Sequence, residues 1–294
     1  MKRNTIYALG FFDGVHLGHQ ALLTACKALA EKHNCNPGVA TFLGHPDTLV
    51  FGKAPLQLNT EADRRLLLKS YGMEEILEIP FDKALMDTSW QDFLQNLLAQ
   101  NGAGFVCGSD FRFGAKGAGT ADTLAQFCRE RNLPFAIVPQ QEIDGIRVSS
   151  THIRSLLESG DMAGALRFLG HPHIFTGKVV TGRGLGHTIG IPTANLHLPQ
   201  RLLQPKSGVY ACKAHFDGKT YLAVTNIGTR PTVGGQHITV EPWLLDFAGD
   251  LYGKSLTLSF HAYLREEKKF PSLEALQKEI QKNAIETRKL LEKT

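Results

Sequence analysis

Residues 10–20 read GFFDGVHLGHQ and follow the apolar run Ile6-Tyr7-Ala8-Leu9. The run is typical of a buried strand, and the stretch after it contains glycines, a carboxylate and two histidines before a helical pattern begins. A strand, a glycine-containing turn and a helix in this order present free backbone N–H groups and the positive end of the helix dipole above a sheet. We therefore expect an α/β sheet with an anion site, most simply for phosphate, at this turn.

The two histidines of this turn, His16 and His19, are three residues apart and so lie on one face of the helix start. Gly18 between them leaves room for a bulky group. A tight turn with Asp13 as a cap and two surface histidines is an alternative interpretation. Histidines at this spacing also occur in zinc sites, but the neighbouring sequence indicates no third ligand. A second polar segment, RVSSTHIR at 147–154, follows another predicted strand and favours polyphosphate binding.

The first half of the chain alternates short apolar runs with longer helical patterns, which predicts a parallel sheet covered by helices. The predicted strands are 5–9, 37–42, 75–79, 104–107 and 134–138, and the predicted helices lie near 20–33, 60–71, 89–100 and 120–131.

After about residue 175 the pattern changes to short strands and turns. Asp217-Gly218, between strand patterns at 211–216 and 219–224, favours a type I′ hairpin turn because both central residues need positive φ. This half is therefore expected to form an antiparallel sheet or barrel.

Helical patterns flank the second half on both sides. One covers 151–169 and is broken at Gly160-Asp161, and the other follows Ser272, which stands in N-cap position. We predict two domains, 1–172 and 173–294.

The composition indicates a soluble globular protein: the chain has 294 residues, 43% apolar and 20% charged, with a net charge of +4. No apolar run approaches the roughly 18 to 20 residues that span a bilayer, and the N-terminus lacks signal-peptide character. Five cysteines without a CxxC pair indicate neither disulfides nor zinc. Because the basic residues are dispersed, we expect a cytoplasmic protein that binds no nucleic acid and no membrane, as a monomer or weak homo-oligomer.

Four segments resemble, in their order, the His-x-Gly-His nucleotidyltransferases, and within them the bacterial bifunctional riboflavin kinase/FMN adenylyltransferases. They are GFFDGVHLGHQ at 10–20, TFLGHP at 41–46, GSDFRFG at 108–114 and RVSSTHIR at 147–154. The resemblance covers nearly the whole chain. It implies a Rossmann-like domain in which the phosphate of FMN attacks the α-phosphorus of ATP, giving FAD and pyrophosphate.

The resemblance also implies roles for residues of this domain. Stabilisation of transition-state charge is expected from His16, His19 and Arg154. The residues expected to bind ATP are Gly10, Phe12, Asp13, Gly18, Arg147, Ser149, Ser150 and Thr151. Those expected to bind flavin are Phe42, His45, Asp110 and Phe111. Phe111 and Phe113, alternating in a predicted strand, fit the hydrophobic core equally well.

Residues 177–195, GKVVTGRGLGHTIGIPTAN, contain glycines at a density that lets a backbone wrap around phosphates, or that forms a hairpin between barrel strands. With SGVYA (207–211), TNIGTRPT (225–232) and VEPWLLDF (240–247), the segment resembles the riboflavin kinase module. The resemblance implies that Gly182, Gly184 and Gly186 bind ATP and that Thr193 and Asn195 bind Mg²⁺ and nucleotide phosphates. It further implies that Glu241 is the general base toward riboflavin.

The kinase-like half departs from the family pattern at several positions. His187 stands where arginine is usual in the glycine loop, the linker reads Leu169-Gly170-His171-Pro172-His173, and Pro242-Trp243 follows Glu241. Histidine replaces an arginine only partly and with pH dependence. The expected activity is conversion of riboflavin to FMN and of FMN to FAD, with one MgATP in each step. The alternatives are an FMN adenylyltransferase with a weak or inactive kinase module, a non-enzymatic flavin or nucleotide sensor, and a transferase for another phosphate acceptor.

Overall fold

A computed structural model describes residues 3–44, 55–181, 190–199, 201–232 and 235–292. The chain divides into two compact units. The α/β unit comprises Met1–Leu56 and Arg64–Ser150, and the barrel unit comprises Gln57–Asp63 and Thr151–Thr294. The domain boundary at 172/173 stays a prediction.

The α/β unit is built on a five-stranded parallel sheet in the order β3-β2-β1-β4-β5. Its strands are β1 (Thr5–Leu9), β2 (Asn36–Leu43), β3 (Glu75–Pro80), β4 (Gly102–Gly108) and β5 (Phe135–Val138). All five strands were predicted from the apolar runs. Because β1 lies between β2 and β4, the sheet order reverses direction there, and ligands bind at the carboxyl ends of strands at such a switch point.

Helices follow the first four strands, as the sequence pattern predicts. They are α1 (Leu17–Lys32), α2 (Glu61–Ser70), α3 (Lys83–Asp87), α4 (Trp90–Ala99) and α5 (Ala121–Glu130). Local caps explain where several begin: the Ser89 hydroxyl accepts the Asp92 N–H before α4, and Thr120 forms a capping box with Thr123 before α5. The short α3 was not predicted, and it starts at an Asp82 cap. Leu124 and Phe127 of α5 join the buried core beneath the sheet.

Two expectations in this unit need correction. Helix α1 begins at Leu17 rather than near residue 20, because His16 caps it. Phe111 is not in a strand: the chain turns at 109–110 after β4, and Phe113 forms only an isolated bridge with Gly119. A short antiparallel pair, β6 (Glu142–Ile143) and β7 (Ile146–Arg147), follows β5.

The barrel unit contains a closed six-stranded antiparallel barrel in the order β10-β11-β12-β9-β8-β13. Its strands are β8 (His173–Val180), β9 (Asn195–His197), β10 (Gly208–Phe216), β11 (Lys219–Thr232), β12 (Gly235–Leu244) and β13 (Ser255–Arg265). Alternate side chains of β10, such as Tyr210, Cys212 and Ala214, are fully buried. The hairpin prediction is confirmed, since Asp217 and Gly218 have φ of 50° and 71° and Phe216 pairs with Lys219.

The helices α6 (Ser150–Ser159), α7 (Met162–Leu169) and α8 (Leu273–Leu291) match the predicted patterns. Gly160 adopts φ of 84° between α6 and α7, and the Asp161 carboxylate then caps α7 by accepting the Gly164 N–H at 2.8 Å. Ser272 caps α8, as predicted. Among the residues described, none of the helices combines the length and the apolar character needed to cross a bilayer.

Candidate active sites in the two units

The turn between β1 and α1 has a strained backbone. Phe12, Gly14 and Val15 have φ of 58°, 82° and 41°, all in the left-handed region. This conformation is unfavourable for a β-branched residue such as valine, so the surrounding structure must hold it in place. Such strain is found preferentially at functional sites.

Two side chains donate hydrogen bonds to backbone carbonyl groups of this turn. The Ser150 hydroxyl donates to the carbonyl of Asp13 at 2.9 Å, and the Gln20 amide donates to that of Val15 at 2.9 Å. These two hydrogen bonds restrain the backbone of the turn. Ser150, predicted to bind ATP, therefore also supports the backbone that would receive the phosphates.

The two histidines form a stacked pair. Their ring centroids are 3.7 Å apart with an interplanar angle of 14°, and the Nδ1 of His16 accepts the backbone N–H of His19 at 3.3 Å. A Cβ at Gly18 would lie 3.2 Å from the His16 ring, so a glycine permits this stacking. The Nδ1 of His19 is buried and has no hydrogen-bond partner among the residues that the structure describes.

His16 is only 7% exposed, and His19 is half-buried with its Nδ1 shielded from solvent. Burial, and then the neighbouring His16 and Arg64, lower the pKa of His19 well below its ordinary value of 6.5. A neutral imidazole keeps one N–H that can donate to an incoming anionic oxygen. The electrostatic environment therefore favours a neutral donor at His19 in the unliganded site.

A cavity of about 290 Å³ opens at the carboxyl ends of β1, β4 and β5, beside this histidine pair. The predicted site residues that line it are Gly10, His16, Gly18, His19, Asp110, Phe111, Arg147, Ser149 and Ser150. The structure thus brings together residues from three separate sequence motifs. Asp110 and Arg147, predicted to contact flavin and ATP respectively, form an ion pair with each other.

Other predicted residues are not part of the lining of this cavity. The Phe12 ring is fully buried beneath Gly10, and the Asp13 side chain is only 4% exposed; neither lines the cavity. Thr151 and Arg154 fall in the barrel unit, on α6. Arg64, which sequence reasoning missed, is buried behind the turn, where its guanidinium contacts the carbonyl of Phe11.

A larger and more apolar cavity of about 620 Å³ lies in the same α/β unit. Phe42 lines it and packs edge-on against Phe81, with ring centroids 5.5 Å apart. Its remaining walls include Leu85, Met86, Phe93, Phe113, Arg112 and Lys116. The predicted flavin residues are therefore divided, since Asp110 and Phe111 line the smaller cavity. His45 lies outside the described residues.

In the barrel unit, Glu241 lines a cavity of about 370 Å³ between barrel strands and α8. Asn226, opposite Glu241 on β11, donates from its amide to the carboxylate of Glu267 at 3.1 Å. The polar side chains that line the cavity therefore include two carboxylates, two amides and two cations, and Trp243 and Phe270 supply aromatic surface. Sequence reasoning identified Glu241 but missed Asn226 and Glu267.

Thr193 lines this cavity and also a second one of about 340 Å³. The second cavity is bounded by Val179, Pro192, Ala194, Pro242, Leu244 and the segment 247–252. The backbone N–H of Ala194 donates to the carbonyl of Pro242 at 2.9 Å, which fixes the threonine segment against β12. Asn195 starts β9 opposite Val180. Gly182, Gly184, Gly186 and His187 lie outside the described residues.

The fold and the cavities define a chain of two units: a parallel sheet with a cavity at its histidine-containing turn, and a barrel with adjoining cavities. Residues 1–152 match the family model described as FAD synthetase, and residues 169–291 match the model described as riboflavin kinase. The protein belongs to the family of bifunctional riboflavin kinase/FMN adenylyltransferases.

Relatives of that description match almost end to end. The chain is 36% identical to the one from Pseudomonas fluorescens, covering 98% of this chain and 93% of the relative. It is 34% identical to the one from Listeria monocytogenes, covering 97% and 92%. A crystal structure titled as a macrolide-efflux protein from Streptococcus pneumoniae has a TM-score of 0.87 at 30% identity, covering 98% of this chain and 95% of that one.

Proposed function

We propose that the barrel unit transfers the γ-phosphate of ATP to riboflavin, giving FMN, and that the α/β unit transfers the adenylyl group of a second ATP to FMN, giving FAD and pyrophosphate. Thr193 supports the first step most directly, because among the predicted site residues that the structure describes it alone lines both the cavity of Glu241 and the adjoining one. Phosphoryl transfer needs a donor and an acceptor site that meet at one point.

In the kinase step, riboflavin occupies the cavity that contains Glu241, and the nucleotide occupies the adjoining one. Glu241 accepts the proton of the ribityl hydroxyl as its oxygen bonds to the γ-phosphorus, and the bond from that phosphorus to the β,γ-bridging oxygen breaks, releasing ADP. Trp243 and Phe270 provide aromatic surface for the flavin ring. Glu267 and Asn226 add polar groups for orientation.

Mg²⁺ is expected in this step. Thr193 and Asn195 would hold it, since hydroxyl and amide oxygens are hard donors and Mg²⁺ takes its remaining ligands from water and phosphate. Among the described residues, no group of three or more His, Cys, Asp or Glu side chains is arranged to hold a metal ion. When bound, it would neutralise phosphate charge.

In the adenylyl step, a phosphate oxygen of FMN bonds to the α-phosphorus of ATP, and pyrophosphate leaves with the electron pair. No proton has to be removed from an anionic phosphate, so the protein's task is positioning and charge stabilisation. His16 and His19 donate N–H groups to oxygens that gain charge, above the positive end of α1. The apolar cavity beside Phe42 suits the flavin ring.

The test is a time course of the purified protein with riboflavin and MgATP, beside a run started from FMN and a third run with EDTA. Chromatography separates riboflavin, FMN and FAD. We expect FMN to appear before FAD in the first run, FAD in the second and neither product with EDTA. FAD formed only from FMN would mean that the kinase unit is inactive. No product in either run would contradict the proposal and favour a sensor or another phosphate acceptor.

The remaining expectations, a cytoplasmic monomer or weak homo-oligomer that binds no nucleic acid and no membrane, stay predictions.

A further inference from the structure

A buried arginine outside every motif discussed above lies behind the anion-binding turn of the α/β unit. Arg64, on α2, is 3% exposed. Its Nη1 donates to the carbonyl of Phe11 at 3.2 Å and its Nη2 donates to the carbonyl of Phe42 at 2.9 Å. One guanidinium thus joins the segment that follows β1 to the carboxyl end of β2, the adjacent parallel strand. A buried cation is costly unless its donors are satisfied, so its presence here needs a reason.

The contacts of Arg64 converge on the residue just before the strained backbone. The Phe11 carbonyl also accepts the Thr41 hydroxyl at 3.1 Å, so it is held by two side-chain donors. The guanidinium carbon lies 4.6 Å from the centroid of the Phe11 ring, a cation–π contact. The Phe11 side chain in turn lines the cavity that contains the histidine pair, whereas Phe42 lines the larger apolar cavity. Arg64 therefore touches the framework of both cavities.

We propose that Arg64 is a positioning residue for adenylyl transfer, which fixes the anion-binding turn relative to the apolar cavity and adds a permanent positive charge behind the site. This inference rests on the proposed FMN adenylyltransferase activity of the α/β unit. A cation at this place favours the accumulation of negative charge on the phosphates in front of it. Misplacement of reacting groups by about 1 Å costs on the order of 100-fold in rate, which makes a rigid turn important.

The same charge acts on His19. Arg64 is one of the groups that lower the pKa of His19, after burial and the stacked His16. Arg64 itself does not line the cavity, and the charged side chains that do are Asp110 and Arg147. Without the guanidinium, the pKa of His19 is expected to rise. On acidification the imidazole would then become protonated at a higher pH than in the unchanged protein.

The experiment compares Arg64→Met, Arg64→Lys and the matched control Arg65→Met in the full-length protein. Arg65 is the next residue on α2 but is solvent-exposed and paired with Glu78 at 2.6 Å. The measurements are kcat and KM for FAD formation from FMN, their pH profiles, and riboflavin phosphorylation by the same samples. The last reaction shows that the barrel unit is intact, and thermal unfolding shows whether the α/β unit is folded.

We expect Arg64→Met to lower kcat/KM for FAD formation about 100-fold, chiefly through kcat, and to move the acid limb of the profile to higher pH. Arg64→Lys, which keeps the charge and N–H donors, should remain within about tenfold of the unchanged protein and keep its profile. Arg65→Met should change neither. If Arg64→Met does not fold, Arg64→Gln, which retains N–H donors without the charge, replaces it.

A folded Arg64→Met, or Arg64→Gln in its place, with FAD formation within about threefold of the unchanged protein would overturn the inference. An equal loss in Arg64→Lys and the uncharged variant, with no shift of either pH profile, would also overturn it, because packing alone would then explain the effect. Should the unchanged protein form no FAD at all, the proposed function fails instead, and the two failures are thereby distinguished.

Discussion

The two candidate sites are assembled in different ways. In the α/β unit, the histidine pair and the strained backbone occupy one short segment, 10–19, whose carbonyls are bound by side chains from other elements. In the barrel unit, Thr193, Asn226, Glu241 and Glu267 come from separate parts of the chain and meet around one cavity. The first site is thus a local motif that side chains from other elements stabilise, whereas the residues of the second come together only when the barrel forms.

The largest effect should come from the proposed general base of the barrel unit, Glu241. Glu241→Gln removes the proton acceptor while keeping the side-chain shape, so riboflavin phosphorylation should fall about 10³-fold. FAD formation from added FMN should not change if the two sites act independently. Both rates are measured by chromatography, with Glu286→Gln, an exposed glutamate on α8, as the control. A fall in both reactions in a folded protein would refute the independence of the sites.

The next largest effect concerns the stacked histidines. His19→Ala should lower FAD formation about 10²- to 10³-fold, because it removes a donor to oxygens that gain charge, while FMN formation from riboflavin persists. The matched control is His33→Ala, an exposed histidine just beyond the other end of α1. Unchanged FAD formation in His19→Ala would mean that this imidazole does not contribute to the chemistry.

Acidification should lower the free energy of unfolding of the barrel unit, because of a buried histidine. His173 is 2% exposed with neither ring nitrogen hydrogen-bonded among the described residues, and burial, followed by His171, lowers its pKa from 6.5 to about 3. Since the unfolded chain binds a proton that the folded one does not, stability is intact above pH 6.5 and falls as the pH drops toward 3. At about pH 5 the loss is about 2 kcal/mol.

His173→Phe should abolish this part of the acid sensitivity, since phenylalanine fits an apolar site beside Phe175 and Phe260 and does not titrate. Urea unfolding at about pH 7 and pH 5 measures it, with His197→Gln, an exposed position on β9, as the control. If His173→Phe and the unchanged protein lost the same amount of stability between the two pH values, His173 would not be the cause of the acid sensitivity.

The smallest effect should come from removing a hydrogen bond that supports the turn between β1 and α1. Ser150→Ala removes the hydroxyl that donates to the Asp13 carbonyl, and the loss of about 1 kcal/mol should lower FAD formation about fivefold. Ser155→Ala is the control, because its hydroxyl donates to the His152 carbonyl on the exposed face of the same helix. If Ser150→Ala instead reduced FAD formation as much as His19→Ala, a direct contact of Ser150 with the reacting phosphates would be the better explanation.

Sequence patterns predicted the elements well wherever short-range physics decides them. The Asp217-Gly218 turn, the Ser272 cap and the break at Gly160-Asp161 each depend on neighbouring residues, and all three are confirmed. The prediction of a strand through Phe111 was wrong, because the alternation of aromatic residues does not show where the preceding strand, β4, ends.

By itself, the sequence determined an α/β unit followed by an antiparallel β unit, and the histidine turn, because hydrophobic periodicity, turn chemistry and a contiguous motif act over a few residues. Only the tertiary structure decided the rest. It placed Arg64 on the carbonyl of Phe11, 53 residues away, and Asn226 on Glu267, 41 residues away. It also placed Thr193 between two cavities. Such contacts depend on how the elements of a sheet or barrel pack against each other. Contacts between residues so far apart in the chain leave no periodic pattern in the sequence.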